Sequence, residues 1–327
     1  MNIDPIVVKV LETVKSHELS TGAYARWTIP EPGRNMGVNE YGCADAANLL
    51  YTVGAPVRDP AERAKWVETM QNMQSPDTGL FSEPTHHPFH TTAHCVAALE
   101  LFDALPRYEL TEMKKYLDTE KLHELLESLD WDHNPWPMSH RGAGLFAALT
   151  ITRSASLAWQ NDYFQWLKEH CDPEYGMSYR GRIGADIPAH HMCGWFHYLF
   201  NHACARRPIP YAEKLIDSCI EMYDRNEMGA PFGVSCGFME IDWVFCLNRA
   251  SRQTAYRCEE IRDRLSRFAK GYVDYLLNAA PKTDKSFDDL HMLFGAMCAL
   301  SELQTALPGE YLSTVPLKIV LDRRPFI

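Results

Sequence analysis

The 327-residue chain has no CxxC pair, no long apolar run and no sustained alternation of polar and apolar positions. Each absence excludes something. None of the ten cysteines has a metal-knuckle neighbour, and most fall in apolar helical patterns, which reads as reduced thiols in a cytoplasmic protein. No apolar stretch approaches the roughly 20 residues of a membrane span. The opening MNIDPIVVKVLETVKSHEL carries acidic residues and no long apolar block, so it does not read as a signal peptide. Basic charge is in short supply: Lys+Arg 32 against Asp+Glu 43 gives a net −11. That balance disfavours nucleic acid and anionic membrane as partners. No Ser/Gly/Pro-rich linker divides the chain, so one compact domain is expected.

What is present is helical periodicity. Ile6, Val7, Val10, Leu11 and Val14 recur at helical spacing. Charged amphipathic segments at 4–18, 60–73, 111–129, 156–170, 211–225 and 256–278 alternate with six apolar, small-residue helices. The apolar helices are expected to begin near Glu40, His90, His140, His190, Glu240 and Asp289, at intervals of 50, 50, 50, 50 and 49 residues. A period of this length marks a repeat architecture. An open solenoid gives every helix some solvent contact, but here the second helix of each pair is apolar nearly all round. The pattern therefore predicts an all-α fold, an (α/α)6 toroid of six helical hairpins spanning 1–304. The remainder, 305–327, holds Pro308, Pro316 and Pro325 and reads as an extended tail packed on that domain.

The unit MQSPDTGLF…HTTAHCVAALELF resembles the repeat of the terpenoid cyclase and protein prenyltransferase toroids, where a Gly-aromatic step precedes an inner helix. The alternation over 1–304 also resembles the six-hairpin glycosidases and the sugar 2-epimerases. The prenyltransferase resemblance implies a zinc-binding histidine at His90. The Asp-x-Cys partner of that zinc site is absent, since Asp242 is followed by Trp243 and Val244. The acidic motif of the class II terpene cyclases is absent too; FDDLH at 287–291 is a partial echo.

In a toroid the inner helices run the same way and their N-termini gather at one mouth. Free N–H groups and the helix dipole favour polar ligands there. The expected mouth residues are rich in carboxylates and imidazoles. Asp45, His90, His190, His191, Glu240, Asp242 and Asp289 are the candidates for acid–base work. Tyr41, His86, His87, Trp136, His140, Arg141, Arg180, Trp243 and His291 are the candidates for holding a substrate. Asp45 and Asp242 equally suit buried ion pairs, and Asp288, Asp289 and Glu240 equally suit helix caps. His94 and His197 lie deeper and read as core histidines with partners. No cofactor is expected, although His90, His140 and His190, at equal repeat spacing, are a weak candidate set for a divalent metal.

A carbohydrate hydrolase, lyase or epimerase acting on a small-molecule or oligosaccharide substrate is the leading expectation. Carboxylate pairs, or His90 with His190 or His191, would move the proton. A terpenoid or prenyl enzyme and a non-catalytic binding protein are the alternatives.

Overall fold

The computed structural model describes residues 1–184 and 187–326. It is all-α, with one short hairpin pairing Glu18–Ser20 and Ala23–Tyr24. In chain order the helices are α1 (Asp4–Ser16), α2 (Glu40–Thr52), α3 (Pro60–Asn72), α4 (Pro88–Glu100), α5 (Thr111–Lys114), α6 (Thr119–Glu127), α7 (Pro135–Ile151) and α8 (Leu157–His170). They continue as α9 (Pro188–Cys204), α10 (Ala212–Asp224), α11 (Met239–Ser251), α12 (Cys258–Asn278), α13 (Lys285–Asp288), α14 (Leu290–Ala306) and α15 (Val320–Arg323).

Six helices form the core: α2, α4, α7, α9, α11 and α14. Each packs against the next in that order, and α14 packs back against α2. Their burial is nearly complete on all sides. Eleven consecutive residues of α11, Glu240–Ala250, are buried. By contrast α3 buries only Trp66 and Met70 and leaves a charged face outside. Small residues set how closely the core helices approach. A Cβ on Gly144 of α7 would stand 2.7 Å from the Phe89 carbonyl oxygen of α4. One on Gly194 of α9 would stand 2.7 Å from the Pro135 carbonyl oxygen of α7. Gly295 of α14 meets the Gly237 carbonyl oxygen before α11 in the same way, at 2.8 Å. Each glycine thus seats one core helix on the N-terminal end of the one before it.

The helix starts are set by local chemistry. Asn39 accepts hydrogen bonds from the Tyr41 and Gly42 amides to cap α2, and Asp289 caps α14 through the His291 amide. Proline opens α4, α7 and α9, where its missing N–H has no helical partner to lose. α7 begins at Pro135, five residues before the expected His140. The short loop WDHNP brings the chain back early, so His140 sits in the second turn. Equal spacing in sequence is therefore not equal register in space.

All ten cysteines are unpaired thiols. Among the described residues no helix is long and apolar enough to cross a membrane. The tail turns inward: Arg324 donates to the Asn48 side chain on α2, and the fully buried Phe326 ring lies 5.2 Å from Phe200 and 4.7 Å from His90.

Candidate functional site

The N-terminal ends of α4, α7 and α14 meet the loop before α11 around a cavity of about 100 Å³. Five histidines line it: His86, His90, His140, His197 and His291. Trp136, Pro137 and Phe238 complete the wall. The rings are close. His90 and His140 centroids are 4.3 Å apart, His86 and His90 4.6 Å, and His140 and His197 5.1 Å. A larger hollow of about 540 Å³, where Asn161 and Lys168 face Pro210, gathers no comparable set of groups.

A protonated imidazole is costly in this setting. Burial pushes the His197 and His291 pKa values down to about 3 and those of His90 and His140 well below the usual range. Neighbouring imidazoles add to the effect for all four; Asp45 opposes it at His291 without reversing it. His86 is lowered as well, by burial first. The cluster is neutral near neutral pH.

The hydrogen bonds around each ring then decide which nitrogen carries the proton. The Ser139 hydroxyl has one hydrogen, and it goes to the Trp136 carbonyl at 2.5 Å, which only accepts. Ser139 Oγ therefore accepts from His197 Nδ1–H at 2.8 Å, and His197 Nε2 keeps a bare lone pair. Thr85 repeats the logic. Its hydroxyl donates to the Glu83 carboxylate while Arg26 Nη1 donates to it at 2.8 Å. The 2.7 Å contact from His86 Nδ1 must then also be a donation, which leaves His86 Nε2 bare. His291 Nδ1 donates to the Asp45 carboxylate at 3.0 Å, leaving Nε2 bare once more. Tyr41, whose phenol is held protonated by burial, lies 2.6 Å from His90 Nδ1 and 3.4 Å from Thr91 Oγ1. The short contact engages His90 Nδ1 with the phenol, and either partner can supply the hydrogen.

Behind this layer Asp45 is fully buried and accepts from two imidazoles, His94 Nε2 at 2.7 Å and His291. Burial alone would raise its pKa; the two histidines reverse that and hold it ionised. Arg26 grips Asp289 with Nε at 2.8 Å and Nη2 at 2.9 Å and ties the α14 start to the loop before α2.

The structure brings together Tyr41, Asp45, His86, His90, Trp136, His140 and His291 from the expected list. Others stand elsewhere. Glu240 accepts from the Gly233 amide at 2.8 Å and braces its own loop. Asp242 is fully buried on α11 beside the Cys193 thiol, where burial drives its carboxyl towards the neutral form. Trp243 faces outward to α10, stacked on Tyr223 at 4.8 Å with its indole N–H on the Cys219 carbonyl. Asp289 is a cap and the Arg26 partner, and His87 caps α4 by accepting from the Phe89 amide. His191 holds Ser178 at 2.9 Å, His190 lies beside Trp136, and Arg180 is exposed. Arg141 is half-buried beside the cluster, with its Nε unpartnered among the described residues.

Of the candidate metal set His90, His140 and His190, the first two stand together with a different residue of α9. His197 converges with His90 and His140, one ring nitrogen from each lying within 4.8 Å of the others. It enters from the third turn of α9, two turns past His190 on the same helical face, and that seven-residue step was the signal available in sequence. Phe238 and the outer brace Arg26–Thr85–Glu83 lay in loops with no periodicity to expose them.

No family model, no curated protein and no solved structure matches this chain.

Proposed function

We propose that the protein is an enzyme on an (α/α)6 toroid that moves a proton at a carbon next to a carbonyl in a small sugar-type substrate. Support for the toroid is the closed order of core contacts from α2 through α14 back to α2, with α1, α3, α6, α8, α10 and α12 as the outer helices. The observation that carries the function is His197: neutral, braced through Nδ1 by Ser139, and with a bare Nε2 in the wall of the cavity.

In this reading His197 Nε2 takes the proton from carbon and the electron pair moves into an enolate. The imidazolium gains stability from that new negative charge, so the base strengthens as the reaction proceeds. Protonation of the same carbon on its opposite face gives the epimer; a proton shift between the two enediol oxygens followed by protonation of the neighbouring carbon gives the isomer. A volume of about 100 Å³ holds roughly three waters. It suits the reacting end of a substrate whose remainder lies in the open mouth against Trp136. Five imidazoles in the wall favour a polar substrate over an isoprenoid.

The test is exchange in D2O. Aldoses, ketoses and uronates are incubated with the protein and followed by NMR. Deuterium is expected at the carbon beside the carbonyl of at least one sugar, with loss of at least about 100-fold in rate in His197→Gln. No exchange with any of them would make the cavity a binding site only.

A further inference from the structure

The cavity wall presents several imidazole lone pairs. His86, His197 and His291 each point a bare Nε2 away from a braced Nδ1–H, and His90 can do the same through Tyr41. The single N–H of neutral His140 cannot satisfy them all, and buried lone pairs left without a partner are costly. An electron-pair acceptor resolves this, and the residues are arranged for one.

We propose that His86, His90 and His291 bind one divalent transition-metal ion of the zinc class. A ring nitrogen of each lies within 4.8 Å of one in each of the other two. His86 and His291 donate from Nδ1 and so offer Nε2, and at His90 the Tyr41 phenol occupies Nδ1 and leaves Nε2 for the ion. Neutral imidazole is a preferred ligand for zinc, and three protein ligands leave a coordination position for substrate. Each of the three also has an oxygen behind it that fixes the ring: Thr85 backed by Glu83, the Tyr41 phenol, and the Asp45 carboxylate. A carboxylate behind a ligating histidine raises its basicity and orients it. The overlapping group His90, His140 and His197 lacks this for His140, which makes no hydrogen bond among the described residues. In the group Asp45, His94 and His291 both carboxylate oxygens already accept from imidazole, so it acts as the brace.

The role of the ion rests on the proton-transfer reading above: it would polarise the carbonyl oxygen as His197 takes the neighbouring proton. The site itself rests on the rings. It is tested by stripping the purified protein with chelator and titrating Zn²⁺ by calorimetry, with Co²⁺ absorption as the geometric readout. One equivalent should bind. His86→Gln, in the loop before α4, should weaken binding by at least about tenfold, and Thr85→Val, on an exposed residue behind it, by about 10–100-fold. His140→Gln should leave affinity unchanged. Absence of a stoichiometric site, unchanged affinity in His86→Gln, or loss in His140→Gln matching that in His86→Gln overturns the assignment. Stoichiometric Zn²⁺ without deuterium exchange into any sugar sustains the metal site and removes the isomerase reading. Exchange without stoichiometric metal does the reverse.

Discussion

A hydroxyl has one hydrogen, and where it goes settles the chemistry of the imidazole beside it. Ser139 gives its hydrogen to a carbonyl and so forces the proton of His197 onto Nδ1. Thr85 does the same for His86 by donating to Glu83. This scale was only partly legible in the sequence. His86, His90, His140 and His291 stood out because they lie near helix starts. His197 did not, because depth along a helix cannot be read from a period of 50 residues. Trp243 and Asp242 were misleading for a related reason: polarity and aromaticity near a helix start do not say which side of the helix faces the cavity. The buried imidazoles also predict a pH dependence. His197 titrates at about 3 in the folded chain against about 6.5 when unfolded. Between those values the unfolded chain binds the extra proton, so stability rises with pH and is lost as pH falls through that window. His197→Gln should show a shallower fall in denaturant midpoint on acidification than the parent protein. An equal slope would mean that His197 is not buried in the neutral form.

At the scale of helices, the close seating of one core helix on the next depends on residues without side chains. Gly194 packs against the backbone at Pro135 and Trp136, the start of the helix that carries His140. Alanine there must push α9 off α7, at a cost of about 1–3 kcal/mol from overpacking. Gly271, in the exposed face of α12, meets nothing within 4 Å of a new Cβ. Alanine at that position should stabilise by about 0.4–1 kcal/mol through helix propensity and a less flexible unfolded chain. Urea unfolding of the two variants checks the contrast; a neutral Gly194→Ala would mean that the core helices are not seated through this contact. The six apolar and six charged helices themselves were legible, since periodicity records which faces meet water. Their exact starts were less so. Pro135 opens α7 earlier than the histidine spacing suggests, because a proline and a short loop override the repeat.

On the scale of the whole molecule, the helices place the ends of distant segments around one small volume. His86 comes from the loop before the second core helix, His90 from that helix, His140 from the third, His197 from the fourth and His291 from the last. Closure of α14 on α2 is what brings His291 to Asp45, 246 residues apart in sequence. The tail contributes from within, with Phe326 against His90. Its place was not legible, because a short segment with three prolines carries no periodic face to read. The account turns on a wall of neutral imidazoles with bare Nε2 atoms. Long-range ¹H–¹⁵N NMR of the histidine rings in metal-stripped protein near neutral pH reads this directly. The signals of His86, His197 and His291, assigned by single substitutions, should be those of neutral rings protonated at Nδ1. Imidazolium signals, or neutral rings protonated at Nε2, would contradict both the base and the metal site.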